Sequence, residues 1–263
     1  PLKSVIDDAL IGNRTVKKVI VYTRTRTPVS MLKGRDLWWE DEIKKVETMG
    51  NPDYPAEEMD AEDPLFILYT SGSTGKPKGV VHTHNGILHE YATAKIVLDL
   101  HPDDVYWCTA DPGWVTGIVY GILSPWMLGV TMVVHAGRFD TDVWYSIIEK
   151  YKVTVWYTAP TAIRMLMAKG DEAVKAHNLS SLRHLCSVGE PLNPEAIRWG
   201  LKAFGLPFHD TWWQTETGGH MMVNFASVDI KIGAMGKPFP GLEAAVVDDA
   251  GNPVADKVEG NLA

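Results

Sequence analysis

Leu65-Phe-Ile-Leu-Tyr69 runs without a break into Thr70-Ser-Gly-Ser-Thr-Gly-Lys-Pro-Lys-Gly79. The first five residues form an apolar run of strand length. The next ten are small hydroxyl residues, glycines and two lysines. A buried strand ending in such a stretch gathers backbone N–H groups, hydroxyls and positive charge, a combination that suits a polyphosphate. The order excludes a Walker loop, G-x-x-x-x-G-K-[ST], because Thr70 stands where its first glycine belongs and Pro77 where its hydroxyl belongs. Pro77 also lacks an N–H and disfavours helical geometry at Lys76, so the loop is not expected to turn directly into a helix.

The chain has 263 residues with 45% hydrophobic content, enough for one or two domains with buried cores. A net charge of -8 opposes a nucleic-acid surface, which needs clustered Lys and Arg. An anionic substrate must then be met by local charges. No apolar run approaches the ~18 residues of a membrane span. The N-terminal stretch mixes Lys, Asp and Arg without a signal-peptide core, so a cytoplasmic location without a membrane partner is expected. Cys108 and Cys186 sit in strand-like apolar stretches and read as small core residues, not a disulfide. His82, His84 and His89 are the densest histidine group. Lacking Cys or carboxylate partners at metal spacing, they read as polar residues entering a helix.

Short apolar runs alternate with segments of helical period. This predicts an α/β fold of layered subdomains, with mixed or parallel sheets flanked by helices, ending in a β-hairpin that begins a smaller β subdomain. Strands are expected near 18–22, 65–70, 105–109, 131–135, 153–157 and 185–188. A helix is expected from Pro194 to Phe204, capped by Asn193, with Ile197, Leu201 and Phe204 facing inward. Another should begin at Pro160, burying Ile163, Leu166 and Met167. The acid- and turn-rich stretch 34–64 reads as a connection, with a short surface helix at Trp38-Trp39-Glu-Asp-Glu42. Three regions are expected: 1–60, 61–225 as the nucleotide- and acyl-binding part, and 226–263 as the start of the β-rich part. The last strand runs to Ala263 with no polar tail after it, which reads as part of a longer protein.

The 70–79 segment resembles the signature of the adenylate-forming synthetases, which activate a carboxylic acid as acyl-AMP and pass the acyl group to a thiol. Three further strings are Ala110-Asp-Pro-Gly-Trp-Val-Thr-Gly117, Ser187-Val-Gly-Glu-Pro-Leu-Asn-Pro194 and Asp210-Thr-Trp-Trp-Gln-Thr-Glu-Thr-Gly218. In order and spacing they are similar to the acetyl-CoA synthetases, the short-chain branch of that family. The likeness runs from about Leu2 to Ala263. It implies an enzyme with ATP, Mg2+ and CoA as cofactor and co-substrates, and acetate, with propionate admissible, as the acid.

The resemblance also implies site residues. Thr70, Ser71, Gly72, Ser73, Thr74, Gly75, Lys76 and Lys78 would hold the β- and γ-phosphates. Gly189, Glu190 and Pro191 would line the adenine, where glycine lets a flat base approach the backbone. Asp210, Thr211, Trp212, Trp213, Gln214 and Thr215 would form the rest of the nucleotide wall. Thr215 would lie beside the α-phosphate, and Glu216 would bind magnesium, which usually takes few carboxylates. Thr215, Glu216 and Lys78 carry the catalytic assignment. Val115, Thr116, Val188 and Trp213 would surround the acyl chain. Trp213 would cap its length, with Trp212 the better candidate for an ordinary core aromatic. Thr116 and Gly117 would border the thiol channel. Ala159-Pro-Thr161 would line the pantetheine path, although a helix start explains the same residues.

Members of the family continue with a ribose-binding aspartate, phosphate-contacting arginines, a hinge and a small domain bearing the adenylation lysine. They also carry an upstream basic CoA-binding segment. This stretch alone is expected to be weak or inactive. A non-catalytic adenine-nucleotide-binding module and a phosphotransferase are the readings from other classes, although a phosphotransferase would bring a second motif that the sequence lacks.

Overall fold

The computed structural model describes residues 2–50, 52–71 and 75–263. The chain divides into two compact units, the first ending at Glu58 and the second beginning at Met59.

In the first unit, α1 (Leu2–Ala9) precedes β1 (Val19–Val21), which pairs in parallel with β2 (Asp36–Trp38). Lys3, buried on α1, forms ion pairs with Asp7 at 2.7 Å and Asp36 at 2.8 Å, and Arg35 pairs with the same two carboxylates. The expected surface helix is α2 (Trp39–Thr48), which buries no residue and extends beyond the predicted five. Glu40, Asp41 and Glu42 fill its first turn, where the helix dipole favours negative charge.

The second unit opens with β3 (Pro64–Thr70) and β4 (Lys78–Thr83), an antiparallel pair with Tyr69 opposite Gly79 and Thr70 opposite Lys78. The chain past Pro77 returns as a strand that the sequence reading did not foresee, and the loop does not turn directly into a helix, as expected. His82 corrects the reading that it enters a helix. It is buried on β4, stacked on Phe66 at 4.5 Å, and α3 (Gly86–Ile96) begins after it.

Seven further strands make one sheet: β5 (Val105–Cys108), β6 (Thr131–Met132), β7 (Val155–Thr158), β8 (His184–Val188), β9 (Phe208–Trp212), β10 (Met222–Val223) and β11 (Lys237–Pro238). Their spatial order is β11-β10-β9-β8-β7-β5-β6. The pairs from β6 to β9 are parallel, and β10 and β11 add antiparallel at one edge. Helices fill the crossovers: α4 (Val115–Ile118), a π-turn (Val119–Leu123), α5 (Ser124–Leu128), α6 (Thr141–Tyr151), α7 (Pro160–Lys169), α8 (Asp171–Lys175) and α9 (Pro194–Phe204).

Strands covered on both faces need apolar side chains in both directions, and Val155-Trp-Tyr-Thr158 is buried throughout. Trp156 and Leu185 pack on one face with Trp107, Ile163, Ile197 and Phe208. Val155, Tyr157, Cys186 and Val188 pack on the other with Tyr106, Tyr120 and Trp213.

Several boundaries move. The strand expected at 131–135 pairs only over its first two residues, because β6 is an edge strand whose chain peels away after Val133 N donates to the Tyr106 carbonyl. Asn193 precedes α9 but its side chain does not cap; its backbone carbonyl accepts from Ala196 N instead. Leu201 is exposed, and the inward face of α9 is Ala196, Ile197, Trp199 and Gly200, with Phe204 partly buried beside them. In α7, Ile163 and Leu166 are fully buried and Met167 packs at the margin, as expected. Cys186 is buried and Cys108 half-buried, and both are free thiols. The terminal hairpin forms from β12 (Val246–Val247) and β13 (Asn261–Leu262), and the Asp248 carboxylate accepts from Ala250 N and Asn252 N in its turn.

Candidate active site

Parallel strands leave their crevice outside the carboxyl ends, where connections to helices diverge. Here the chain leaves β8 through Gly189-Glu-Pro191 and leaves β9 through Trp213-Gln214. Between these exits lies a cleft of about 440 Å³, within the range of ligand sites. It is lined by Gly189, Glu190, Pro191, Asp210, Thr211, Trp212, Trp213 and Gln214, all expected from the sequence. Leu192 and Ile197 complete an apolar side.

Its far wall, Gly233-Ala-Met235, was not among the expected residues. Buried Asn224 fastens that loop. Its side-chain amide donates to the Ala234 carbonyl at 3.2 Å and the Asp210 carbonyl at 3.3 Å, while its N–H donates to the Asp210 carbonyl at 3.0 Å. The only trace of this wall in the sequence is the pair of glycines, Gly233 and Gly236, around Ala-Met.

Glu190 is held from α7, receiving Thr161 Oγ1 on one oxygen and Arg164 on the other, each at 2.5 Å. These two partners, Thr161 foremost, keep its carboxyl below the ordinary range. Thr161 is thus a helix-start residue that anchors the cleft rim, and Arg164 is an added partner placed by helical spacing from it.

Asp210 lies half-buried in the cleft, and its Oδ1 has no hydrogen-bond partner among the described residues. Burial raises its pKa to about 6. An unpaired buried acceptor is costly unless a ligand supplies a donor. If a ligand N–H binds the ionised form, binding lowers this pKa. Affinity should then be constant above pH 6, fall as pH drops through it, and lose that dependence in Asp210→Asn. Calorimetric titration of adenine nucleotide from pH 5 to 8 measures this; an unchanged slope in the variant would remove Asp210 from the site.

Trp213 joins the cleft to the acid-binding candidates. It lines the cleft and belongs to the same buried cluster as Val188, with Val115 packed against it. Thr116 is half-buried beside Val115 on α4. Trp213 is 8% exposed whereas Trp212 is half-buried, so the core aromatic is Trp213, the reverse of the expected pairing. Trp213, the first residue past β9, continues the alternation of that strand, so it falls on the same side as Thr211 and enters the cluster that holds Tyr157.

Thr215 and Glu216 occupy a single 3₁₀ turn, Thr215–Thr217, just past the cleft. Gln214 N donates to Thr217 Oγ1 at 3.0 Å, fixing that turn, and Glu216 is exposed on it. Gly218 closes it at φ +72°, and a Cβ there would lie 3.2 Å from the His82 ring. The β3–β4 stem therefore abuts the turn. Thr70 ends β3 half-buried, while Ser71, Gly75, Lys76 and Lys78 are exposed around the hairpin tip and do not line the cleft. Gly72, Ser73 and Thr74 lie outside the described residues.

A family model described as "AMP-binding enzyme" matches residues 5–263. The chain belongs to the AMP-binding enzyme family. Among curated AMP-binding relatives, acetyl-coenzyme A synthetase of Bacillus subtilis is 58% identical over 205 residues, covering 78% of this chain and 36% of that protein. Acetyl-coenzyme A synthetase of Citrobacter koseri is 50% identical across 100% of this chain and 41% of its own length. The chain thus spans about two fifths of such a relative. The crystal structure of Brucella canis acyl-CoA synthetase superposes with TM-score 0.82 at 30% identity, over 99% of this chain and 50% of that one. The mixed α/β architecture described above is therefore that of a solved acyl-CoA synthetase, as the motifs implied.

Proposed function

We propose that this chain forms the adenine- and acid-binding part of an AMP-forming acetate–CoA ligase, which joins acetate to ATP as acetyl-AMP, releases pyrophosphate and transfers the acetyl group to CoA. The observation that carries the reading is Trp213, which is at once a wall of the nucleotide-sized cleft and a member of the apolar cluster of Val115 and Val188. A nucleotide seated in the cleft and a short acid seated against the cluster meet at one indole, which brings the acid toward the α-phosphorus that condensation needs.

In this reading the base slides between the Gly189–Pro191 backbone and the β9 exit, and its amino group donates to Asp210 Oδ1. Acetate is a weak nucleophile, so catalysis rests on holding it in line with the α-phosphorus while charge is neutralised. Thr215 is assigned to the α-phosphate. Ser71, Gly75, Lys76 and Lys78 are assigned, from the hairpin tip, to the departing pyrophosphate, together with Gly72, Ser73 and Thr74. The exposed carboxylate of Glu216 suits magnesium, which takes one or two carboxylates plus phosphate oxygens and waters. When bound, the ion would offset phosphate charge. Thr116 and Gly117 are assigned to the path of the thiol.

The test is acid-dependent exchange of labelled pyrophosphate into ATP by the full-length protein carrying this chain. Acetate should support exchange, propionate more weakly, and butyrate least. Binding of ATP with no exchange from any acid would indicate a nucleotide-binding module, and release of ADP a phosphotransferase.

A further inference from the structure

Behind Trp213 lies a buried hydrogen-bond assembly whose proton directions follow from its members. An indole nitrogen can only donate, so Trp213 Nε1 gives its proton to Tyr157 Oη at 3.4 Å. Thr211 Oγ1 donates to the Ser187 carbonyl at 2.8 Å, which leaves it to accept from the Tyr157 hydroxyl, also at 2.8 Å. The remaining lone pair of Tyr157 then receives Nε2–H of His220 at 2.9 Å. Nδ1 of this tautomer is an acceptor, and among the described residues it has no hydrogen-bond partner. Burial keeps that imidazole neutral.

The second side of the assembly closes equally well. Thr93 Oγ1 donates to the His89 carbonyl at 2.7 Å, so it accepts from the Tyr120 hydroxyl, which in turn receives His220 N–H at 2.9 Å. Tyr120 stacks on His220 with centroids 4.1 Å apart and planes 10° apart. The Trp213 indole stands edge-on to both rings, 5.1 Å from Tyr120 and 5.9 Å from His220. Tyr157 and His220 are fully buried and do not line the cleft.

We propose that Tyr157 and His220 are positioning residues that hold the Trp213 indole across the acid pocket and so set the length of acid admitted, a proposal that rests on reading Trp213 as the wall of that pocket. The 3.4 Å bond is long, so it orients the ring more than it binds it, and the two aromatic edges complete the alignment. Without the tyrosine hydroxyl the indole N–H is left buried and unpaired, and the ring loses its reason to keep one rotamer.

The experiment measures kcat/KM for acetate, propionate and butyrate, and KM for ATP, in the full-length protein. Tyr157→Phe should raise the butyrate-to-acetate ratio about tenfold, the worth of one methylene in such a pocket, with a smaller change in KM for ATP, whose cleft the same indole lines. His220→Gln, which keeps a donor at the position of Nε2, should retain the parent ratio, whereas His220→Leu should shift it as Tyr157→Phe does. An equal fall in kcat for all acids at constant ratio would overturn the proposal. Should Tyr157→Phe not fold, identical ratios in the Leu and Gln variants of His220 would overturn it instead. Trp213→Gly separates the two levels: if that variant leaves the ratio unmoved, the pocket reading itself fails.

Discussion

In the proposed ligase, Trp213→Gly should turn the expected preference for acetate into use of four-carbon acids, with the butyrate-to-acetate ratio of kcat/KM rising about a hundredfold. Each methylene accommodated in an apolar pocket is worth roughly 1–3 kcal/mol, and butyrate carries two beyond acetate. The indole is a buried member of the cluster on the Tyr157 face of the sheet, so its removal opens space for those carbons where the cleft meets the cluster. Stability should fall as well, since emptying the site of a buried aromatic costs about 3–5 kcal/mol. Comparison of acids at low temperature separates the two effects, because lost stability lowers all three rates together. An unchanged order of acids would place the acid elsewhere.

Gly236→Ala is the second large effect, expected to cost about 3 kcal/mol of stability, a size reserved for specific lesions, and to weaken nucleotide binding at least tenfold. Gly236 adopts φ +100°, and an added Cβ would stand 2.0 Å from the Val223 carbonyl oxygen. Backbone cannot yield as a flexible side chain does, so the loop must lift. Lifting it breaks the Asn224 bond to Ala234 and removes one wall of the cleft. The control is Gly205→Ala at φ +72°, where nothing lies within 4 Å of the added carbon. That variant bears only left-handed backbone strain, about 1–2 kcal/mol, and should bind nucleotide normally. Urea unfolding and nucleotide titration of both proteins make the comparison, and equal losses would show that the Val223 contact does not matter.

Where a segment's chemistry is local, the sequence was sufficient. Pro77 announces that the phosphate-type loop does not run into a helix, although the returning strand β4 was not foreseen, and the unbroken apolar character of residues 155–157 dictates a strand covered on both faces. The cleft residues expected from Gly189–Pro191 and from Asp210–Gln214 do converge, because adjacent parallel strands bring consecutive strand exits together. What escaped was decided by partners distant in the chain. Phe208-His-Asp-Thr-Trp212 is too polar to announce a central strand, yet it becomes one between β8 and β10. Only that placement determines which of two consecutive tryptophans is buried. The 233–235 wall is held by Asn224, and Glu190 by Arg164, both through side-chain geometry that no local pattern encodes.

Among the described residues the β3–β4 hairpin shares no strand pairing with the seven-stranded sheet. It leans on the rest of its unit through Phe66, which packs at the margin of a core cluster, and through the His82 ring facing Gly218. Displacing it would disturb side-chain contacts such as these and leave the backbone ladders of that sheet as they are. The arm that presents Lys76 and Lys78 is thus joined to the seven-stranded frame by side chains and not by a shared backbone ladder.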